Sequence, residues 1–255
     1  MLPLSLWALA WCDRADSNRQ PPAPQAGDSA DWSTIAKHKY GMVYPLYTTP
    51  AIQYLETLVN PEWRVFEYGS GGSTEYYQRY CAEVRAIEHD SDYASRNPDV
   101  TTLVGRDSTP LPHAAPAEAE FFSRGFYLPR HPVLDRETEY HGMENWAWRA
   151  YASQLWLWPQ GYFDLVVVDG MARSLCLYYA GQLTNPDGYI ILDNSCRWQY
   201  NDLQGHLIST GWKRRDFWQP NHPGWCTSFF HRHYDSCDAA PRRTDHGDLH
   251  HAIGW

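Results

Sequence analysis

The chain has 255 residues, of which 43% are hydrophobic, and a formal net charge of −9 at pH 7. This length suits one substantial domain with insertions, and the apolar content is enough for a packed core. The negative charge argues against general nucleic-acid binding, which needs a basic face. No apolar run approaches the roughly 18 residues of a membrane span. We therefore expect neither a nucleic-acid partner nor a membrane partner.

Residues 1–33 are predicted to be a flexible lead-in, because Asp13–Ser33 is rich in Pro, Ala, Gln and Asp. The apolar run Leu2–Trp11 is short and lacks the basic start of an export signal, which favours a cytoplasmic protein over an exported one. Six cysteines without a Cys-x-x-Cys pair favour free thiols in a reducing compartment over a disulfide or zinc framework.

The first predicted helix begins at Thr48-Thr49-Pro50, has apolar residues at helical spacing and ends before Pro61. The segment before it, Tyr40–Tyr47, is either a surface loop or a cap over a ligand.

The run Val65–Thr74 predicts a buried strand, a tight glycine turn and the start of a helix. Its glycines permit backbone angles and close approaches that a Cβ would block, while Ser73 and Thr74 suit the opening of a helix. In open α/β sheets, ligands bind in the crevice at the carboxyl end of such a strand. We therefore expect a ligand at this turn.

Glu67 lies two residues before the first glycine of this turn. A carboxylate there suits a positive amine or hydroxyl donors and would repel a phosphate. A phosphate loop would need Gly-Lys-Ser/Thr, which is absent, and a dinucleotide fingerprint would need a glycine at the position of Thr74. Glu88 ends the next predicted strand, Val84–Glu88, where an acid can accept both ribose hydroxyls; a solvated strand-end acid is the alternative.

The third predicted strand, Val100–Val104, is followed by Asp107, which could either bond an adenine amine or cap the next helix. Residues 109–159 are predicted to be a long insertion, and such insertions are usually functional. Its aromatic-rich end, Glu144–Trp158, is predicted to be helical. This helix belongs to the core or to a homodimer contact, or else forms a substrate wall. The phenylalanines earlier in the insertion make a lid a further alternative.

The remaining elements alternate as in a parallel α/β sheet. The apolar strand that ends at Asp169 is predicted to be central, and the tail 235–255 is predicted to be loose. The elements are strand Phe163–Asp169, helix Ser174–Leu183, strand Tyr189–Leu192 before Asp193-Asn194, helix Gln199–Ser209, and closing strands Trp212–Trp218 and Cys226–Arg232 on either side of Pro220–Gly224.

The strongest pattern is that predicted strands repeatedly end in oxygen-bearing side chains, which would meet at one edge of one sheet. These side chains are Glu67, Glu88, Asp107, Asp169, Asp193 and Asn194.

The run Glu67–Thr74, with Glu88 after the next strand, closely resembles the cofactor loop of class I S-adenosylmethionine-dependent methyltransferases. The resemblance continues through Asp164–Asp169 and Pro186–Asn194, and so covers roughly residues 48–232. It implies an α/β fold with a Rossmann-like, mostly parallel seven-stranded sheet, helices on both faces and an antiparallel final strand, within a methyltransferase domain at 34–234.

The resemblance also implies S-adenosylmethionine as the cofactor, with its aminoacid end at the glycine turn, its ribose at Glu88 and its adenine near Asp107. The residues that would bind it are Glu67, Gly69, Ser70, Gly71, Ser73, Thr74, Glu88, His89, Asp107 and Ser108.

Within that family, the chain looks most like the small-molecule and sugar O-methyltransferases. Asp169 with Asp193-Asn194 resembles the Asp…Asp-Asn metal triad of catechol-type enzymes, and oxygen ligands suit Mg²⁺. The catechol-type lysine base is replaced by Ala172, and the following Arg173 stays protonated. The base would then be Asp169, His89 or His141, with or without Mg²⁺.

These inferences favour methyl transfer from S-adenosylmethionine to a hydroxyl of a small molecule or sugar. Two alternatives stay open. One is an NAD(P)-dependent oxidoreductase on a related fold, against which Thr74 and Glu67 count. The other is a non-catalytic binding protein that has kept the fold.

Overall fold

The structure of the protein is a computed structural model, and it describes residues 44–105 and 148–233. Its strands are β1 Arg64–Tyr68, β2 Glu83–Glu88, β3 Thr101–Leu103, β4 Leu165–Val168, β5 Tyr189–Leu192, β6 Lys213–Gln219 and β7 His222–His231. Its helices are α1 Thr49–Leu58, α2 Gly72–Tyr80, α3 Ser91–Ala94, α4 Arg149–Ala152, α5 Arg173–Leu183 and α6 Asn201–Ser209, with 3₁₀ turns at Ser153–Leu157 and Trp198–Tyr200.

The seven strands form one sheet in the order β3-β2-β1-β4-β5-β7-β6. The first five strands in this order are parallel, whereas β7 runs antiparallel to both β5 and β6. The predicted fold class is confirmed: it is a Rossmann-like α/β fold with a mostly parallel sheet and a reversed final strand.

Alternate residues of the central strands point to opposite faces, so the sheet has a core on each side. On one face, Phe66 and Val166 pack with α4, α5 and α6. On the other, Val65 and Val167 pack with α1 and α2. Every residue of β4 is buried, as expected for a central parallel strand covered on both faces.

Two predicted elements differ from the structure. Within the described part of Glu144–Trp158, a short α turn is followed by a 3₁₀ turn rather than one continuous helix. The segment is core, because Tyr151 and Leu155 are buried against α5. The last strand begins earlier than predicted, because Asn221 has a left-handed backbone (φ 65°) that permits a tight turn after Gln219.

The described cysteines, Cys81, Cys176, Cys196 and Cys226, are free. Among the residues that the structure describes, none of the helices is long and apolar enough to cross a membrane. The lead-in 1–33, most of the insertion and the tail 235–255 lie outside the described residues.

Candidate active site

The carboxyl ends of β1, β2, β4 and β5 bring four of the predicted acids to one edge of the sheet: Glu67, Glu88, Asp169 and Asp193. These acids are close enough to influence one another. Burial raises the pKa of Glu67 to about 8; the hydroxyls of Ser73 and Thr74 oppose this shift, and the charges of Asp169 and Glu88 add to it. The predicted gathering of acids at one edge of the sheet is therefore present for these four residues.

Glu67 is 1% exposed and is tied to the first turn of α2. Ser73 Oγ donates to Glu67 Oε1, and Thr74 Oγ1 donates to Oε2 at 2.5 Å. Thr74 Oγ1 in turn accepts from the Gly71 N–H at 2.9 Å. The carboxylate thus lies beneath the glycine turn and fixes where α2 begins.

Glu88 is fully buried and also supports the turn. Its Oε2 accepts from the Ser70 N–H at 2.8 Å, and its Oε1 accepts from the N–H groups of His89 (2.7 Å) and Asp90 (2.9 Å). His89 Nδ1 lies 2.5 Å from the same Oε1. Glu88 therefore binds the protein's own backbone in this conformation; its predicted contact with a ribose stays a prediction.

Three N–H groups of the glycine turn have acceptors within the chain. The Gly69 N–H donates to the Ile87 carbonyl at 2.8 Å, the Ser70 N–H to Glu88, and the Gly71 N–H to Thr74. A phosphate-binding turn instead leaves its N–H groups free to point at the anion. With these N–H groups occupied and the Glu88 carboxylate beside them, the turn is unsuited to a pyrophosphate.

Gly69 and Gly170 allow the loops after β1 and β4 to touch. Gly69 has φ +103°, and a Cβ on it would lie 3.1 Å from the Cα and N of Gly170. A Cβ on Gly170 would lie 2.1 Å from Tyr151 Oη and 2.8 Å from Gly69 N. Gly71 differs, since a Cβ there would meet nothing within 4 Å.

Asn97 is a residue that the sequence analysis missed. It is buried, and its Nδ2 donates to the Gly71 carbonyl at 3.2 Å and to Ser70 Oγ at 3.4 Å. Ser70 Oγ also lies 2.9 Å from Thr101 Oγ1. Asn97 therefore holds the outer side of the glycine turn, and its place after β2 in the sequence carries no motif that would have indicated this.

Arg173 joins the ends of β4 and β5. It is 1% exposed; its Nε donates to the Gly170 carbonyl at 3.1 Å, Nη1 to the Asp193 carbonyl at 2.6 Å and Nη2 to the Asp169 carbonyl at 2.7 Å. Nη2 also lies 2.8 Å from Asp169 Oδ1, and Nη1 lies 3.9 Å from Asp193 Oδ2. The sequence alone indicated only that Arg173 is a poor base.

The residues of the predicted magnesium site do not fit a metal. The guanidinium of Arg173 lies between the carboxylates of Asp169 and Asp193, and Asp193 Oδ1 accepts from Thr227 Oγ1 at 2.7 Å. Within 44–105 and 148–233, no group of three or more His, Cys, Asp or Glu side chains is placed to hold a metal ion. The third predicted ligand, Asn194, has a left-handed backbone (φ 52°) and is 7% exposed.

Asp169 keeps 26% of its side chain exposed. Its enclosure by protein raises its pKa to about 7; Asp193 and Glu88 raise it further, and Arg173 and Arg197 oppose the shift. Burial also raises the pKa of Asp193. A carboxyl that is partly accessible and titrates near neutrality can accept a proton from a bound group.

The described end of the predicted cap, Tyr44–Tyr47, packs onto the protein. Tyr47 is 2% exposed, and its Oη lies 3.2 Å from Tyr77 Oη. Burial raises the pKa of Tyr47, and Tyr77, Glu67 and Asp169 raise it further. A plain surface loop is thus wrong for Tyr47, while a cap over a ligand stays a prediction.

Three predicted site residues, Asp107, Ser108 and His141, lie outside the described residues.

The sequence matches no protein-family model and no curated protein. Solved structures do match. A methyltransferase from Pyrococcus furiosus is 16% identical with a TM-score of 0.42, over 78% of this chain and 93% of that chain. A methyltransferase-like protein from Silicibacter pomeroyi is 20% identical with a TM-score of 0.39, over 81% and 93%. A TehB-like SAM-dependent methyltransferase from Corynebacterium glutamicum is 12% identical with a TM-score of 0.38, over 70% and 85%. Because one fold hosts many activities, the function has to follow from the site residues.

Proposed function

We propose that the protein is an S-adenosylmethionine-dependent methyltransferase that acts on a hydroxyl of a small molecule or sugar. The observation that carries the proposal is the pair of buried acids, Glu67 and Glu88, that hold the glycine turn at the crevice edge. The Glu88 carboxylate at this edge favours a ligand with a sulfonium and an ammonium group over a phosphate-bearing ligand.

The occupied N–H groups of the turn also weigh against the oxidoreductase alternative. A nicotinamide dinucleotide would bring a pyrophosphate to Gly69–Gly71, where the three N–H groups already have acceptors within the chain. Breaking those bonds and placing two negative charges beside the Glu88 carboxylate would both oppose binding.

S-adenosylmethionine, when bound, supplies a methyl group on a positively charged sulfur. The protein's part is to bring an acceptor oxygen in line with that methyl group and to exclude water, and such positioning provides most of the rate enhancement. Asp169 is the acidic side chain at this edge that is a quarter exposed. We assign it the role of accepting the hydroxyl proton, with Arg173 fixing its orientation at 2.8 Å.

A methyl-transfer screen over hydroxylated metabolites, with and without EDTA, tests the reaction. We expect turnover that EDTA leaves unchanged, because the position between Asp169 and Asp193 is taken by Arg173. Binding of S-adenosylhomocysteine without any turnover in the screen would favour the non-catalytic alternative. The homodimer contact and the cytoplasmic location stay predictions.

A further inference from the structure

The turn after β5 carries two polar residues that the proposed chemistry does not use, Asn194 and Arg197. The Arg197 N–H donates to the Asn194 carbonyl at 3.1 Å, which closes a four-residue turn. Such a turn brings its first and last Cα atoms to within roughly 7 Å of each other. Both residues therefore lie together at the carboxyl edge of the sheet, directly after Asp193.

Arg197 is a buried arginine that forms no ion pair with any of the described residues. It is 6% exposed, and its buried Nε has no hydrogen-bond partner. Among residues 44–105 and 148–233, its guanidinium forms no side-chain hydrogen bond and no ion pair. Arg173, equally buried, instead reaches three carbonyls and two carboxylates. Since buried arginines are almost always paired, the open guanidinium of Arg197 indicates a missing anion.

Asn194 is the second polar side chain of this turn. It is 7% exposed, and in the part of the chain that the structure describes its side-chain amide makes no hydrogen bond. Buried polar groups without partners are few in native proteins, and each one costs free energy unless a ligand or water satisfies it. The unbonded Nε of Arg197, with the Asn194 amide on the same turn, indicates a binding site.

The charges around this turn leave Arg197 as the group available to an incoming anion. Asp169 and Asp193 both face Arg173, and Asp193 is also bonded by Thr227. Arg197 is near enough to Asp169 to lower the pKa of that carboxyl, yet forms no ion pair with it. An anion on Arg197 would therefore lie beside the proposed proton acceptor.

We propose that Arg197 and Asn194 bind an oxyanion of the acceptor, so that the substrate is a hydroxylated small molecule carrying a carboxylate or phosphate group. The planar guanidinium can donate two parallel hydrogen bonds to either group, and an amide can add a third. This inference rests on the proposed function, because it names the class of acceptor for the same site.

The stability of the ligand-free protein gives the first test. Removing an unpaired buried charge relieves a cost, so Arg197→Met should leave the melting temperature unchanged or raise it. Arg173→Met should lower it, because Asp169 and Asp193 lose their cation. A fall in melting temperature for Arg197→Met similar to that of Arg173→Met would make Arg197 structural and overturn the proposal.

Anion binding gives the second test. Inorganic phosphate and malonate are titrated at constant ionic strength while the melting temperature is followed, for the wild type, Arg197→Met and the exposed control Arg79→Met. We expect saturable protection by at least one anion, retained in Arg79→Met and weakened about 10- to 100-fold in Arg197→Met, the factor for one charge-assisted hydrogen-bonding group.

Protection by phosphate alone indicates a phosphorylated acceptor, and protection by malonate alone a carboxylated one. No protection by either anion, or protection that persists in Arg197→Met, overturns the proposal. Binding of S-adenosylhomocysteine is measured on the same three proteins. If the wild type binds that nucleoside but neither anion, the oxyanion site fails while the proposed methyltransferase survives; if it binds an anion but not the nucleoside, the proposed methyltransferase fails.

Discussion

Arg173 Nη2 lies 2.8 Å from Asp169 Oδ1, across the turn that connects β4 to α5. The same nitrogen bonds the Asp169 carbonyl at 2.7 Å, so the guanidinium holds both the side chain and the backbone of that residue. The cation beside Asp169 and Asp193 is thus the protein's own Arg173 side chain. This relationship explains why the residues that resemble a metal triad do not fit a metal.

Arg173 is expected to be essential for stability. Arg173→Met should lower the free energy of unfolding by about 3–5 kcal/mol. The substitution leaves the buried carboxylate of Asp193 and the partly exposed carboxylate of Asp169 without their cation. In the control Arg79→Met, the lost partner is Glu75 in an exposed pair, and the expected loss is below about 1 kcal/mol. Chemical denaturation measures both. Equal losses in the two variants would contradict the role given to Arg173.

Alanine substitutions at two glycines near the candidate site are expected to distinguish a glycine needed for packing from one needed for ligand binding. Gly170→Ala should destabilise the protein by about 1–3 kcal/mol, because its Cβ would overlap Tyr151 Oη and the backbone at Gly69. Gly71→Ala should change stability by less than about 0.5 kcal/mol, because the space around its Cβ is open, but it should weaken binding of S-adenosylhomocysteine.

Denaturation and calorimetric titration together test this pair. Gly205→Ala in α6, where a Cβ also meets nothing within 4 Å, is the matched control and should bind the ligand as the wild type does. Unchanged ligand affinity in Gly71→Ala would show that the open space is not part of the site.

Glu67 is expected to make stability depend on pH. Burial raises the pKa of Glu67 from 4.5 to about 8, so between these values the folded protein binds more protons than the unfolded chain. The free energy of unfolding should therefore fall as pH rises through this interval. Denaturation curves recorded from pH 5 to 8 give the free energy of unfolding of the wild type and of Glu67→Gln. Over this range, the free energy of unfolding should fall by about 1–3 kcal/mol less in Glu67→Gln than in the wild type. A variant with the same pH slope as the wild type would refute the shifted pKa.

Asp169 is expected to set the pH dependence of catalysis. Its pKa of about 7 means that it gains the ability to accept a proton as pH rises through neutrality. With an acceptor found by the screen, kcat/KM should rise with pH up to about 7 and then level off. Asp169→Asn should lower kcat/KM by about 10²- to 10⁴-fold and flatten the profile, whereas Asp202→Asn, on the exposed side of α6, should do neither. A steep profile that survives in Asp169→Asn would assign the base elsewhere.

The sheet and its acidic edge could be predicted from local sequence. Strands β4 and β5 are continuous apolar runs followed by an aspartate, and β1 carries Glu67 next to its last residue. A parallel sheet places these strand ends side by side. The predicted bounds of β5, Tyr189–Leu192, are those observed. Gly69 marks the turn because its positive φ and its close approach to Gly170 both favour a residue without a Cβ.

The partners of the acids could not be predicted in the same way. The pairing of Asp169 with Arg173 depends on how α5 leaves the sheet, and the contact of Asn97 with the glycine turn joins residues 26 and 27 positions apart. For the pair of Asp169 and Arg173, the available signal was the spacing of four residues between an acid and an arginine. The open guanidinium of Arg197 had no signal, because burial without a partner is visible only in three dimensions.

Calorimetric titration of the wild-type protein with S-adenosylhomocysteine and, separately, with NAD tests the central claim most directly. We predict saturable binding of S-adenosylhomocysteine, weakened by Glu67→Gln, and no binding of NAD. Binding of NAD with no binding of S-adenosylhomocysteine would contradict the methyltransferase and restore the oxidoreductase, and binding of neither would contradict a nucleoside site at this edge of the sheet.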